Sequence, residues 1–196
     1  MTHATRYRAA YSLIELSTVV AVMAILAAVA MPLVTPTGIE RLESVARYVV
    51  EDLNYARSLA VTNNSLYRLT FDTTNNLYYI EHSGTNSALN TLPKLVTRSG
   101  NDTATRQYTY LARLVASNNS IRLVTVRSAT NSPLTQLEFR TFGETTQTTA
   151  TTIWLAYGVG TAARYIPVQV NPVTGLASMG SITSVAPTTT ATSSGS

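Results

Sequence analysis

The apolar positions of the chain fall into three successive regimes. Over residues 16–34 (LSTVVAVMAILAAVAMPLV) they run almost unbroken, interrupted by Ser17, Thr18 and Pro32. Over residues 40–60 they recur every three or four positions, at Leu42, Ala46, Val49, Leu53, Ala56 and Ala60. Beyond Asn63-Asn64 the period drops to two. The first regime predicts a helix that is apolar on every side, about 28 Å long at ~1.5 Å per residue and so close to a bilayer's ~30 Å hydrocarbon core. The second predicts an amphipathic helix, with Glu43, Arg47 and Glu51 spaced i, i+4 on another face. Its stripe fits packing on the protein's own sheet, or a coiled-coil partner, for which the pattern is short. Between the two helices, Pro32, Pro36 and Gly38 predict a kink or a local unwinding.

The third regime predicts strands rich in Thr, Val, Tyr and Ile. Runs at 66–71 and 77–80 flank Asp72-Thr73-Thr74-Asn75-Asn76 and read as a hairpin. Further strand-like runs occupy 94–98, 107–116, 121–127, 134–142, 153–157 and 165–170, with polar loops at 83–91 and 144–152. The end, 181–196, is low-complexity Ser, Thr and Ala and predicts a disordered tail. A helix followed by a run of antiparallel strands is an α+β layout.

Charge sharpens this picture through placement. Charged residues make up 12% of the 196-residue chain, against about 25% in an ordinary soluble domain. Arg6 and Arg8 come first, Glu15 follows, and the next charge is Glu40. The positive-inside rule then keeps the amino terminus in the cytoplasm and sends the remainder across the membrane. Three processing schemes fit these residues: an uncleaved anchor, a secretory signal cut after Ala28-Val29-Ala30 before Met31, and a cut ahead of the apolar run. The secretory scheme leaves Glu15 at the start of the apolar segment and leaves part of that segment beyond the cut.

Residues Ala10-Tyr11-Ser12-Leu13-Ile14-Glu15 resemble the type III signal of type IV pilins and type II secretion pseudopilins. Ala10 stands where that family usually has Gly, and Tyr11 where it usually has Phe. The resemblance implies a leader at 1–10, cleavage by prepilin peptidase between Ala10 and Tyr11, and N-methylation of Tyr11. It places Glu15 fifth and Pro32 twenty-second in the mature chain, with Glu15 matching the amine of a neighbouring subunit during filament assembly. The implied fold is pilin-like α+β: an N-terminal helix at 11–60, membrane-spanning over 16–34, packed on an antiparallel β-rich head at 61–180. Within the head, 46–61, 67–71, 137–143, 153–155 and 166–175 look like the GspH/FimT group of minor pseudopilins and minor pilins. The implied function is that of a structural subunit near the tip of a periplasmic pseudopilus. Its partners would be other pseudopilins or pilins, prepilin peptidase, the inner membrane and secreted cargo.

Other chemistry is scarce. No Cys is present, which excludes disulfide scaffolds, thiol catalysis and Cys-based zinc sites. No nucleophile elbow, zinc-binding helix, phosphate loop or dinucleotide fingerprint occurs. Asp72, Asn75 and Asn76 fit a turn better than a calcium loop, which needs denser acids and a closing Glu. Glu81, Asp102, Glu138 and Glu144 show no acid/base pairing, and His82 has no partner motif. No enzymatic activity, cofactor or metal is therefore expected. From Val61 onward there are nine basic and five acidic residues. Arg106, Arg113, Arg122 and Arg127, with Tyr108 and Tyr110 beside them, make DNA contact through phosphates the alternative reading, that of a DNA-binding minor pilin. A mildly basic solvated face explains the same residues.

Overall fold

The computed structural model describes residues 12–34, 38–93, 102–114 and 121–187, with side chains in the first stretch described as far as Leu26. The leader, the Ala10–Tyr11 junction, the strand expected at 94–98 and the end of the tail lie outside the described residues. The chain divides into two units between residues 37 and 38.

The first unit contains helix α1, Leu13–Val34. Ser17 and Thr18 donate to the carbonyls of Ile14 and Glu15, both at 2.8 Å, so their hydroxyls are satisfied within the helix. Every large apolar side chain from Leu13 to Leu26 is at least half exposed. Among the described residues no helix is long and apolar enough to cross a membrane. The span expected at 16–34 extends past Leu26, beyond which side chains are not described.

The second unit opens with α2, Gly38–Thr62. The break expected between the helices falls at 35–37, outside the described residues. All six residues of the sequence stripe are buried, joined by Val45 and Leu59. Burying each of the larger ones contributes about 1.5–3 kcal/mol relative to exposure. α2 contacts strands of two four-stranded sheets. The first sheet has the order β3-β2-β1-β5, from β1 (Tyr67–Asp72), β2 (Leu77–His82), β3 (Arg106–Tyr110) and β5 (Gln136–Phe139). The second has the order β4-β6-β7-β8, from β4 (Ile121–Ser128), β6 (Thr151–Tyr157), β7 (Arg164–Val170) and β8 (Ala177–Met179). Every pairing is antiparallel. The helix-plus-antiparallel-sheet class expected from the pattern is the one observed. The core joins the α2 stripe to Leu69, Phe71 and Tyr78 of one sheet and Ile153, Leu155 and Ile166 of the other.

A polar contact also reaches into this interface. Asp52 on α2 accepts hydrogen bonds through Oδ2 from the Tyr78 hydroxyl at 2.6 Å and the Thr109 hydroxyl at 3.0 Å. The carboxylate thereby ties the helix to β2 and β3.

The hairpin β1–β2 closes through the predicted turn. Asn75 donates from its backbone and its side chain to Asp72 at 2.9 and 2.7 Å, holding the Asp72 carboxyl below its ordinary value. Asn76 takes a left-handed φ of 55°, a conformation Asn tolerates better than most residues. Its side chain then reaches the other sheet, donating to Ile121 O and accepting from Leu123 N, both at 2.7 Å. One amide therefore stitches the hairpin tip to β4. Asn76→Ala should lose both bonds and meet a less tolerated φ, lowering head stability by about 2 kcal/mol in chemical denaturation. An unchanged midpoint would refute that role.

Three strand edges are occupied by the protein itself. Along β3, Asp102 Oδ1 accepts from Tyr108 N at 2.8 Å and Thr103 N donates to Arg106 O at 3.0 Å. Along β4, Asn76 is followed by Leu134 N donating to Val126 O at 2.8 Å. Along β5, Thr146 N donates to Glu138 O at 3.0 Å and Arg140 N to Glu144 O at 2.8 Å.

Several boundaries differ from the expected ones. The strand expected at 107–116 ends at Tyr110, and Leu111–Leu114 forms a one-turn helix, α3. The switch follows from Leu111, which is buried and donates its N–H to Asn76 O at 3.1 Å. The run at 134–142 is a strand only at Gln136–Phe139, because the chain turns where Gly143 N donates to Arg140 O. β8 had no sequence signal, since Ala-Ser-Met lacks the β-branched and aromatic residues that mark strands. Within the low-complexity end, Thr183 still exchanges two backbone bonds with Tyr165, at 2.8 and 2.9 Å.

Candidate functional site

Two regions carry unusual chemistry. The first is the start of α1. Glu15 lies in its first turn and is exposed, a placement favoured by the partial positive charge at a helix amino end. It is followed by exposed Leu16, Val19, Val20, Val22, Met23, Ile25 and Leu26. Such a surface on all sides of a helix has no stable contact with water and calls for lipid or other helices as cover. Pro32 lies within α1, near its carboxyl end.

The second region is the face of the first sheet turned away from α2. Strand register places Arg68, Glu81 and Arg106 in one row and Thr70, Tyr79 and Tyr108 in the next. Glu81, with a side chain 11% exposed, sits between the two arginines. Arg68 donates to Oε1 from Nε at 3.1 Å and from Nη2, and Arg106 donates from Nε to Oε2 at 2.8 Å. The Tyr108 hydroxyl, and after it the Glu81 carboxylate, hold the Arg106 guanidinium above its already high ordinary value. The Arg106 cation also lies 4.7 Å from the Tyr79 ring centre, and Arg113 lies 4.5 Å from that of Tyr110. Tyr79, Tyr108 and Tyr110 form a ladder with centroids 5.2 and 6.4 Å apart.

At the end of this row Glu81, His82, Asn90, Thr103, Thr105, Arg106 and Tyr108 line a polar cavity of about 390 Å³. His82 is buried and held at both nitrogens, Nε2 2.7 Å from Ser65 Oγ and Nδ1 2.8 Å from Asn90 Oδ1. With the Asn90 oxygen facing Nδ1, the ring donates there, and Nε2 pairs with the Ser65 hydroxyl. The order hydroxyl, imidazole, amide resembles a nucleophile, a base and its orienting group. Gly84 packs so closely on Ser65 Oγ that a Cβ there would strike it, so the clamp needs glycine at this position. The three residues act as a clamp joining the loop after α2, the end of β2 and the loop at Asn90.

The structure divides the four arginines named from sequence. Arg106 and Arg113 share the tyrosine-bearing face, on β3 and α3. Arg122 and Arg127 lie on β4, an edge of the other sheet. Arg122 donates to Gly158 O at 3.0 Å, and Arg127 holds Asn131 O and Oδ1 at 2.8 and 3.0 Å. All four guanidiniums are thus engaged by the head itself, Arg106 by Glu81 and Arg113 by the Tyr110 ring. Among the described residues no cluster of His, Asp or Glu could hold a metal ion. The Glu81 pairing and the His82 clamp escaped sequence reading because their partners lie 8 to 25 residues away along the chain.

No protein-family model and no curated protein matches the chain. Among solved structures it is similar to the type IV minor pilin FimU of Pseudomonas aeruginosa. That match has 16% identity, covers 71% of this chain and 88% of FimU, and has a TM-score of 0.46. It is similar also to the minor pseudopilin EpsH from the type 2 secretion system of Vibrio cholerae, at 14% identity over 71% of this chain and 95% of EpsH, with a TM-score of 0.46.

Proposed function

We propose that the protein is a minor pseudopilin, a structural subunit of the pseudopilus of a type II secretion system. Prepilin peptidase cuts it between Ala10 and Tyr11, Tyr11 is N-methylated, and 16–34 holds it in the inner membrane with the head in the periplasm. It then joins other pseudopilins near the filament tip, where the head meets secreted cargo.

The observation that carries this reading is the apolar α1 with Glu15 in its first turn, joined in sequence to a head built on the amphipathic α2. A carboxylate at the edge of hydrocarbon is costly unless a cation meets it. Cleavage ahead of Tyr11 supplies one, an α-amine with an ordinary pKa of about 8. In a filament that amine belongs to the next subunit, so charge matching favours the assembled state over the isolated one.

The intact mass of the mature chain tests this. A start at Tyr11 with one added methyl is expected. A start at Met31 would identify an ordinary exported protein and end the proposal. Co-purification with other pilin-like subunits from the membrane is expected to follow, and co-purification with pilus components alone would move the subunit to a type IV pilus.

A further inference from the structure

We infer that the cavity at the end of the tyrosine ladder is a binding site for a neutral glycan. Three observations converge on it. First, the cavity of about 390 Å³ falls within the ~300–1,000 Å³ range of small-ligand sites. Second, its lining combines one aromatic ring, Tyr108, with the planar polar groups of Asn90, Glu81 and Arg106 and the hydroxyls of Thr103 and Thr105. Vicinal sugar hydroxyls each donate and accept, and planar amide, carboxylate and guanidinium groups serve such pairs. An aromatic ring beside them packs on the C–H face of a sugar. Third, among the described strand residues, with Arg113 beside them, the face is balanced in charge. Arg68, Arg106 and Arg113 stand against Asp72, Glu81 and Glu138, whose register or ring contact places them on the same side. A polyanion tracked through its phosphates needs an excess of cations, which the described strand residues of this face do not offer. An uncharged, hydroxyl-rich chain needs none.

The site is also built before any ligand arrives. Glu81 is fixed by two arginines and His82 by Ser65 and Asn90, so the polar wall keeps its geometry. Preorganisation of this kind lowers the entropic cost of binding. The tyrosine ladder adjoins the site, with Tyr108 shared between the two.

The test uses the full chain in polyoxyethylene-ether micelles, which carry no sugar headgroup, titrated calorimetrically with cellotetraose, maltotetraose and tetra-N-acetylchitotetraose. Saturable binding of at least one is expected, with little change on raising salt. Tyr108→Ala and Asn90→Ala should each weaken it about tenfold, equivalent to about 1.4 kcal/mol. Tyr108→Phe should retain most of the affinity, and Arg122→Ala all of it, with thermal midpoints confirming that each variant is folded. The inference is overturned if none of the three sugars saturates, or if folded Tyr108→Ala and Asn90→Ala bind as well as the parent. It is equally overturned if a single-stranded oligonucleotide binds more tightly, loses affinity steeply with salt and depends on Tyr108.

Discussion

Asp52→Ala should lower the unfolding free energy of the head by about 3 kcal/mol, a shift of roughly 10 °C in thermal midpoint for a domain of this size. The substitution removes an acceptor shared by two hydroxyls on different strands. Tyr78 is 1% exposed and Thr109 7%, so water cannot readily replace the lost partner. Each orphaned buried hydroxyl costs about 1–3 kcal/mol, and bonds to a charged acceptor lie at the stronger end of the range. Asp52→Ala combined with Tyr78→Phe and Thr109→Val removes the orphans together with the acceptor. It should therefore be more stable than Asp52→Ala alone. A single variant within experimental error of the parent, or a triple variant additive with its parts, would remove the carboxylate from its role as the tie between helix and sheet.

Glu15→Ala has the largest expected effect on function. Cleavage ahead of Tyr11 should continue, because the altered residue lies beyond the junction. Incorporation into filaments should fall about tenfold or more, the equivalent of 1.4 kcal/mol or greater. A unit-charge pair about 4 Å apart interacts by roughly 4 kcal/mol at an effective dielectric near 20, before desolvation is subtracted. Glu15→Gln keeps the shape and loses the charge, so it should resemble the alanine variant if pairing is electrostatic. Quantifying the subunit in sheared filaments reads the outcome, and parental incorporation of both variants would sink the assembly role.

The elements that announced themselves in sequence are those governed by local periodicity. The α2 stripe repeats every three or four residues, and each of its members is buried. The turn at Asp72-Thr73-Thr74-Asn75-Asn76 carries residues that bond their own backbone, and it closes a hairpin. What stayed hidden depends on contacts between distant segments. Nothing near Asn76 in the chain reveals that its amide serves Ile121 and Leu123 on another sheet. Asp52 reads as one more charge on a helix with acids on its outer face, yet it points at Tyr78 and Thr109. The same limit applies to the four arginines. Nearness in sequence suggested one basic surface, but β3 and β4 belong to different sheets.

The self-occupied edges of β3, β4 and β5 bear on how the head meets copies of itself. A strand with open N–H and C=O groups invites its copies to zip together, and bonds of that kind, once laid down along a fibre, are slow to come apart. Here the backbone groups at those edges are already spoken for by Asp102, Asn76, Leu134 and Thr146. At these three borders the head is thereby protected against strand-to-strand aggregation with its own copies.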